Sequence, residues 1–217
     1  MDDDASRVTP MFPLGSVLLP SMVLPLHVFE DRYRRMLDDV MRSVTTDFGV
    51  VLIERGSEVG GGEVRLDVGC TARVLEVGRV LDGRLAVVCV GEQRIRVTEW
   101  LDDSPYPIAR TRVWPDPEIA AADLPTVRAT SARVEAAVRR VAALGSELGG
   151  PGLTEPLELS DDPSIRSHQL GVLSPLGPLD RYSVLCAPGV PERLDLLSEL
   201  LADQELLLRG RLTLGPD

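Results

Sequence analysis

Residues 12–30, FPLGSVLLPSMVLPLHVFE, decide how this chain can fold. Pro13, Pro20 and Pro25 cut the stretch into three apolar runs. Each proline fixes φ, removes a backbone donor and pushes its predecessor out of the helical region, so one continuous helix is excluded. A single central strand is excluded as well, because three interrupted ladder donors confine such a segment to sheet edges and corners. What remains is a set of short extended pieces that turn and re-pair. At Glu30 the pattern changes. Phe29, Tyr33, Met36 and Val40 recur four, three and four apart, while Asp31, Arg34, Arg35, Asp38 and Asp39 fill the other faces. That spacing predicts an amphipathic helix laid against the strands.

Working outward, residues 1–8 read as a disordered tail, Phe48 to Arg55 as an apolar strand, and Gly56 to Gly62 as a flexible loop. Val64 to Leu81 and Arg84 to Trp100 read as the arms of a long hairpin around an Asp82-Gly83 turn. In that register Cys70 faces Ile95 and Cys89 faces Glu76, which leaves the two thiols on the order of 20 Å apart and unbridged. Leu85, Val87, Cys89, Ile95 and Val97 stay in phase along the second arm. In the first arm Ala72 and Val74 share one face and Leu75 and Val77 the other, which predicts a bulge or two-sided burial. Tyr106 to Trp114 adds a last strand. About six antiparallel strands with bulges and proline corners predict a coiled sheet or partly closed barrel.

Beyond Pro115 to Pro117 the period becomes helical. Val127, Ser131, Val134, Val138, Val141, Gly145 and Leu148 form one stripe, with Glu135 and Arg139 as an i,i+4 pair on the wet side and Gly149-Gly150-Pro151 as the stop. Pro163 to Leu173 and Leu179 to Cys186 read as short helices. A final helix opens at Pro191, carries the stripe Val190, Leu194, Leu197, Leu201, Gln204 and Leu208, broadened by Leu196, Leu200 and Leu207, and is expected to end at Gly210. That much leucine requires packing against the Val127 to Leu148 helix. No internal repeat is present.

The stretch FPLGSVLLPSMVLPLHVFEDRYRRML resembles the opening block of the N-terminal domain of Lon proteases, a domain found also in short proteins without the rest of the protease. FGVVLIERG at Phe48 to Gly56, GCTARV at Gly69 to Val74, DGR at Asp82 to Arg84, VGEQRIRV at Val90 to Val97 and YPIARTRV at Tyr106 to Val113 follow in the family's order. The similarity continues more weakly to about Leu208. The resemblance implies a stand-alone Lon substrate-binding domain with a PUA-like barrel, kept for recognising polypeptides.

Composition bounds the chemistry. All 23 basic residues are arginine; there is no lysine. A Walker A loop needs a lysine on the phosphates and a Ser-Lys peptidase needs a lysine base, so neither machine is encoded in these 217 residues. The net charge of −11 is divided almost evenly between the two halves and opposes nucleic acid and anionic membrane surfaces. No apolar run approaches the roughly 20 residues a membrane span requires, and the acidic start is unlike a secretory signal, so a cytoplasmic location is expected. Three cysteines, Cys70, Cys89 and Cys186, read as reduced thiols, with Cys186 a small buried hydrophobe.

No metal-ligand spacing occurs. His27 is expected to make a hydrogen bond within the fold and His168 to lie on a helix surface. Ser16, Ser57 and Ser146 follow glycines without a GxSxG context. Gly60-Gly61-Gly62 lacks the lysine of a phosphate loop, and Glu30, Asp31, Asp38 and Asp39 pair with neighbouring arginines. Arg94 and Arg96 on one strand and Arg110 and Arg112 on another could touch phosphate, but no aromatic residue interleaves them, and cross-strand pairing with Asp or Glu is the simpler reading.

The combined expectation is an α+β protein with a β-rich LON-type lobe over 9–116, about six mostly antiparallel strands with one helix, followed by a helical bundle over 117–217 packed on it. The expected function is non-catalytic polypeptide binding, in protein quality control or as an adaptor, with client polypeptides and a separate protease as partners. No catalytic, cofactor-binding or metal-binding residue is named. The rivals are an RNA-binding PUA-like module and a peptidase or hydrolase by family name only.

Overall fold

The prolines of the opening stretch fall at an edge, a corner and a strand that changes partners. A computed structural model describes residues 6–56, 58, 62–80, 84–150, 152 and 158–214. It divides into two compact units, Met1–Pro115 and Asp116–Asp217.

The first unit contains β1 (Arg7–Leu14), β2 (Val23–Val28), α1 (Asp31–Arg42), β3 (Asp47–Arg55), β4 (Val64–Arg79), β5 (Leu85–Trp100) and β6 (Ile108–Val113). The strand order is β2-β5-β4-β3-β1-β6, and β6 pairs again with β5, so five strands close into a ring with β2 added outside it. All pairings are antiparallel except β1 with β3. β1 divides its length: Arg7 to Pro10 pair with β6 and Met11 to Leu14 with β3. β5 divides one edge in the same way, with Leu85 to Val90 on β2 and Ile95 to Trp100 on β6. Pro25 thus sits in an edge strand, and Pro20 in the corner before Ser21, whose φ is +67°.

Alternation along the ring separates two apolar faces. Met11, Val51, Ile95 and Ala109 fill the inside. There the hydroxyls of Thr9 and Thr111 share a 2.6 Å hydrogen bond. Gly49 belongs to this face because a Cβ on it would lie 2.5 Å from the sulfur of Met11. On the outside Phe12, Phe48, Val50, Cys70 and Val87 pack under Tyr33, Met36, Leu37 and Val40 of α1. Phe29, expected on that helical stripe, is 49% exposed, since it precedes the helix and is not turned inward by it.

Arg7 and Val8, expected within a tail over residues 1–8, are held in β1 opposite Thr111 and Arg110, and residues 1–5 lie outside the described residues. The Asp82-Gly83 turn lies outside the described residues. Next to it Arg79 stands opposite Leu85, one position off the expected register, and further shifts between Cys70 and Ala72 and between Val74 and Glu76 put Cys70 opposite Arg94 and Cys89 opposite Val74. The bulge expected in this arm is therefore present.

The second unit contains α2 (Leu124–Glu147), α3 (Pro163–Leu173), α4 (Pro178–Leu185) and α5 (Val190–Leu214). Val127, Val134, Val138 and Val141 of α2 pack with Leu170, Val184, Leu194, Leu197 and Leu201, as the leucine stripe demands. The α2 stripe ends sooner than its spacing suggests, with Leu148 exposed, while the α5 stripe reaches Leu208, which packs against the cluster, and among the flanking Leu196, Leu200 and Leu207 only Leu207 is exposed. α5 continues through Gly210 to Leu214, past the stop its glycine suggests, since a single glycine costs a helix interior only about 1 kcal/mol. Asp162 caps α3, accepting from the Ile165 N–H at 2.9 Å.

This unit buries a full ion pair. Arg193 is 0% exposed and donates to both carboxylate oxygens of Asp116, at 2.9 and 2.6 Å, and to Ser167 Oγ at 2.8 Å. His168 is also buried, its Nε2 3.9 Å from Asp116, not on the helix surface as expected. The histidine faces inward because α3 turns it to the same side as Ser167 and Leu170.

Candidate functional site

A hollow of about 200 Å³ in the first unit runs beside β2 and is lined by Phe12, Leu14, Pro25, Leu26, His27, Val28, Phe29, Glu30, Tyr33 and Glu58. All but Tyr33 and Glu58 come from the proline-broken opening stretch. Its floor is aromatic: the rings of Phe12 and Tyr33 stack with centroids 4.1 Å apart, and Phe48 lies 6.0 Å behind Phe12. Burial pushes the Tyr33 phenol up to about 12, and its hydroxyl has no hydrogen-bond partner among the described residues. The rim is polar. Glu58 accepts from the Gly15 N–H at 2.5 Å, Glu30 accepts from Arg32 Nε at 3.1 Å, and the Arg32 guanidinium lies 4.5 Å from the Tyr33 ring centre.

β2 supplies the hollow with a strand edge that no other strand pairs with among the described residues. The Met22 carbonyl accepts from the Gly91 N–H at 2.9 Å, and the β2–β5 register continues unbroken to Val28. By two-residue alternation the backbone groups of Leu24, Leu26 and Val28 point to β5, and those of Val23, Pro25 and His27 point away from it. The free edge therefore offers three carbonyls but only two N–H groups, since Pro25 has none. His27 is exposed on this strand and lines the hollow, where an internal hydrogen bond had been expected. Alternating burial turns odd-numbered β2 residues outward.

The other sequence candidates are scattered. Ser16 is exposed after β1, Ser146 is exposed at the end of α2, and Ser57, Gly60 and Gly61 lie outside the described residues. Gly62 has φ +80°. Cys70 and Cys89 are buried with thiols pushed up by desolvation, Cys89 to about 12 and Cys70 further, which makes both poor nucleophiles. Cys186 is partly exposed at the end of α4. Among the described residues no group of three metal-ligating side chains converges. What the hollow can do is bind: it offers an apolar floor, acceptors along an edge and an acidic rim.

A family model described as the ATP-dependent protease La (LON) substrate-binding domain matches residues 8–203. The chain belongs to this LON substrate-binding family. The LON domain is 26% identical over 211 residues to Lon protease of Roseiflexus castenholzii, covering 96% of this chain and 26% of that protein. It is 27% identical over 202 residues to Lon protease of Escherichia coli K12, covering 92% of this chain and 25% of that protein. The chain thus spans about a quarter of the length of the curated relatives it matches. Among solved structures, the crystal structure of a Lon N-terminal domain protein from Xanthomonas campestris superposes with a TM-score of 0.62 at 25% identity, covering 90% of this chain and 98% of that one. The N-terminal domain of a Mycobacterium avium complex Lon protease, at 22% identity and TM-score 0.61, covers 91% of this chain and shares the fold. No described helix of the LON domain is long and apolar enough to cross a membrane.

The sequence reading of the arginines needs one correction within this domain. Trp114, placed just after β6, is engaged by both Arg94 and Arg96, with guanidinium carbons 4.2 and 3.7 Å from the ring centre. An aromatic residue does join them, through the strand register and not through sequence adjacency. Arg110 pairs with Glu99 at 3.0 Å, as cross-strand pairing predicts.

Proposed function

We propose that this LON domain is a non-catalytic recognition module for extended polypeptides, with the hollow beside β2 as its contact site. The observation that carries the reading is the coincidence of a strand edge that no other strand pairs with among the described residues and an apolar hollow over the Phe12–Tyr33 stack. A client segment laid along β2 gives its N–H groups to the outward carbonyls of Val23, Pro25 and His27 and inserts one apolar side chain beside Phe29. The absence of lysine supports the lack of ATPase or Ser-Lys chemistry in these residues. On this reading the module serves protein quality control or acts as an adaptor in the cytoplasm, presenting clients to a separate protease.

The test is a fluorescence anisotropy titration of the chain against an unfolded model polypeptide. Replacing the half-exposed Phe29 with serine weakens binding by on the order of tenfold, while Leu179→Ser in the second unit, more exposed still, leaves it unchanged. Equal affinity of both variants and the parent removes the hollow from consideration. Casein turnover by the purified chain, with or without ATP, overturns the non-catalytic assignment.

A further inference from the structure

The hollow beside β2 has polar features that a purely apolar guest leaves unused. Glu30 and Glu58 line it together with the apolar floor. Arg32 ties these two residues to one side of the mouth: its Nε donates to the Glu30 carboxylate at 3.1 Å and its Nη2 to the Glu58 backbone carbonyl at 3.4 Å. The two carboxylates are not equivalent. Glu30 is neutralised by its arginine, whereas the Glu58 carboxylate takes a neutral donor, the Gly15 N–H at 2.5 Å, and among the described residues meets no cation. That bond holds Glu58 close over Gly15, where a Cβ would lie 3.1 Å from its Oε1. It occupies one of the roughly four lone-pair sites of a carboxylate, and the side chain is exposed. Two carboxylates and one guanidinium leave this side of the mouth with one negative charge in excess.

The floor carries a second unanswered group. Tyr33 is 3% exposed, and its hydroxyl has no hydrogen-bond partner among the described residues. Burial keeps the phenol protonated at neutral pH, so it is a neutral hydroxyl with both a proton to give and lone pairs to offer. An aliphatic guest covers the ring and leaves that hydroxyl unpaired. A guest with N–H groups at the end of an apolar stem gives it a partner and brings a cation toward Glu58.

We propose that the side chain this hollow selects is apolar along its stem and cationic at its tip, a lysine or arginine of the client, with Glu58 as the residue that sets the preference. The inference rests on the polypeptide-binding reading and narrows it. The methylenes lie on Leu14, Leu26 and Val28, and the charged end turns back to the mouth, as long basic side chains do when their stems are buried and their heads stay wet. An acidic guest meets the excess negative charge there, and the overall charge of −11 acts in the same direction at longer range.

The experiment titrates the whole chain against three labelled peptides, acetylated and amidated at their ends, that differ at one central residue: lysine, norleucine, which keeps the stem without the charge, and glutamine, which keeps a polar end without it. The lysine peptide binds about three- to fivefold tighter than the norleucine peptide at about 50 mM salt, and the gap closes at about 300 mM. E58Q, which retains an acceptor for the Gly15 N–H, abolishes the gap, and Tyr33→Phe narrows it. E199Q, an exposed acid of α5 whose loss changes the total charge equally, preserves it. Equal binding of lysine and norleucine by the parent chain overturns the proposal and leaves the hollow standing as an apolar site. Glutamine binding tighter than lysine overturns it, as does a gap that survives E58Q. Should E58Q disturb the fold by circular dichroism, the parent chain decides: a gap that ignores salt overturns the proposal. Loss of both the lysine and norleucine peptides on Phe29→Ser shows that they share the hollow, whereas lysine binding that survives this change places the cation elsewhere and overturns the proposal.

Discussion

Two buried polar pairs, one in each unit of this chain, are built in opposite ways. Inside the strand ring the pair is neutral: the Thr9 and Thr111 hydroxyls bond each other at 2.6 Å. In the helical unit the buried group is a full ion pair, Asp116 with Arg193, at 2.6 and 2.9 Å with Ser167 as third partner. A neutral pair that loses one member leaves one unsatisfied hydroxyl. A buried ion pair that loses one member leaves a charge, and the desolvation penalty for a charge is several times larger.

The largest effect expected from that contrast is at Asp116. Asp116→Ala strands the Arg193 guanidinium at zero exposure and lowers unfolding free energy by about 3–5 kcal/mol, read by chemical denaturation. Replacing Asp116 and Arg193 together with apolar residues recovers most of that loss, which separates the stranded charge from any value of the pair itself. A single and a double loss of similar size would make the contrast false. Next in size is the threonine pair. Thr9→Val costs about 1–2 kcal/mol because Thr111 is left without its partner, and the Thr9→Val, Thr111→Val double variant is closer to the parent than the single one. Smallest is an alkaline effect confined to the strand unit. Tyr33 is pushed up to about 12 by burial, and Tyr106 to about 12 by burial together with the hydrogen bond it donates to Asp39 at 2.9 Å. Both folded values lie above the unfolded one, so their stabilisation is complete below about pH 10 and is lost as pH rises toward 12. Allowing for solvent screening, about 1 kcal/mol disappears across that window, seen as a falling midpoint for the strand unit in denaturant at rising pH.

What could be read from the sequence followed chain-local physics. Pro20 and Pro25 forced a corner and an edge strand, the four-three-four spacing after Phe29 placed α1, and the valine and leucine stripes placed α2 and α5 against each other. Pairings between distant segments were not legible. The parallel contact of β1 with β3, the sharing of one β5 edge between β2 and β6, and the pairing of Asp116 with Arg193 across 77 positions leave no periodic trace. The bulges in β4 and β5 hid the rest. Each slip of the ladder changes which residues face one another, so Cys70 met Arg94 and not Ile95, and Trp114 came under two arginines that sequence spacing had kept apart from any aromatic residue. The hollow was half legible: its residues stand in the opening block, but the outward turn of His27 depends on which side of β2 meets β5.

Pro25 at the centre of the β2 edge sets the tempo of whatever docks there. A guest strand can give hydrogens to the carbonyls on either side of the proline and at it, yet receives none back at the midpoint, so the ladder is one-handed where it should be strongest. Such an edge resists copying itself into a second molecule and holds a visitor only briefly. On the polypeptide-binding reading proposed above, such a surface passes cargo onward instead of storing it.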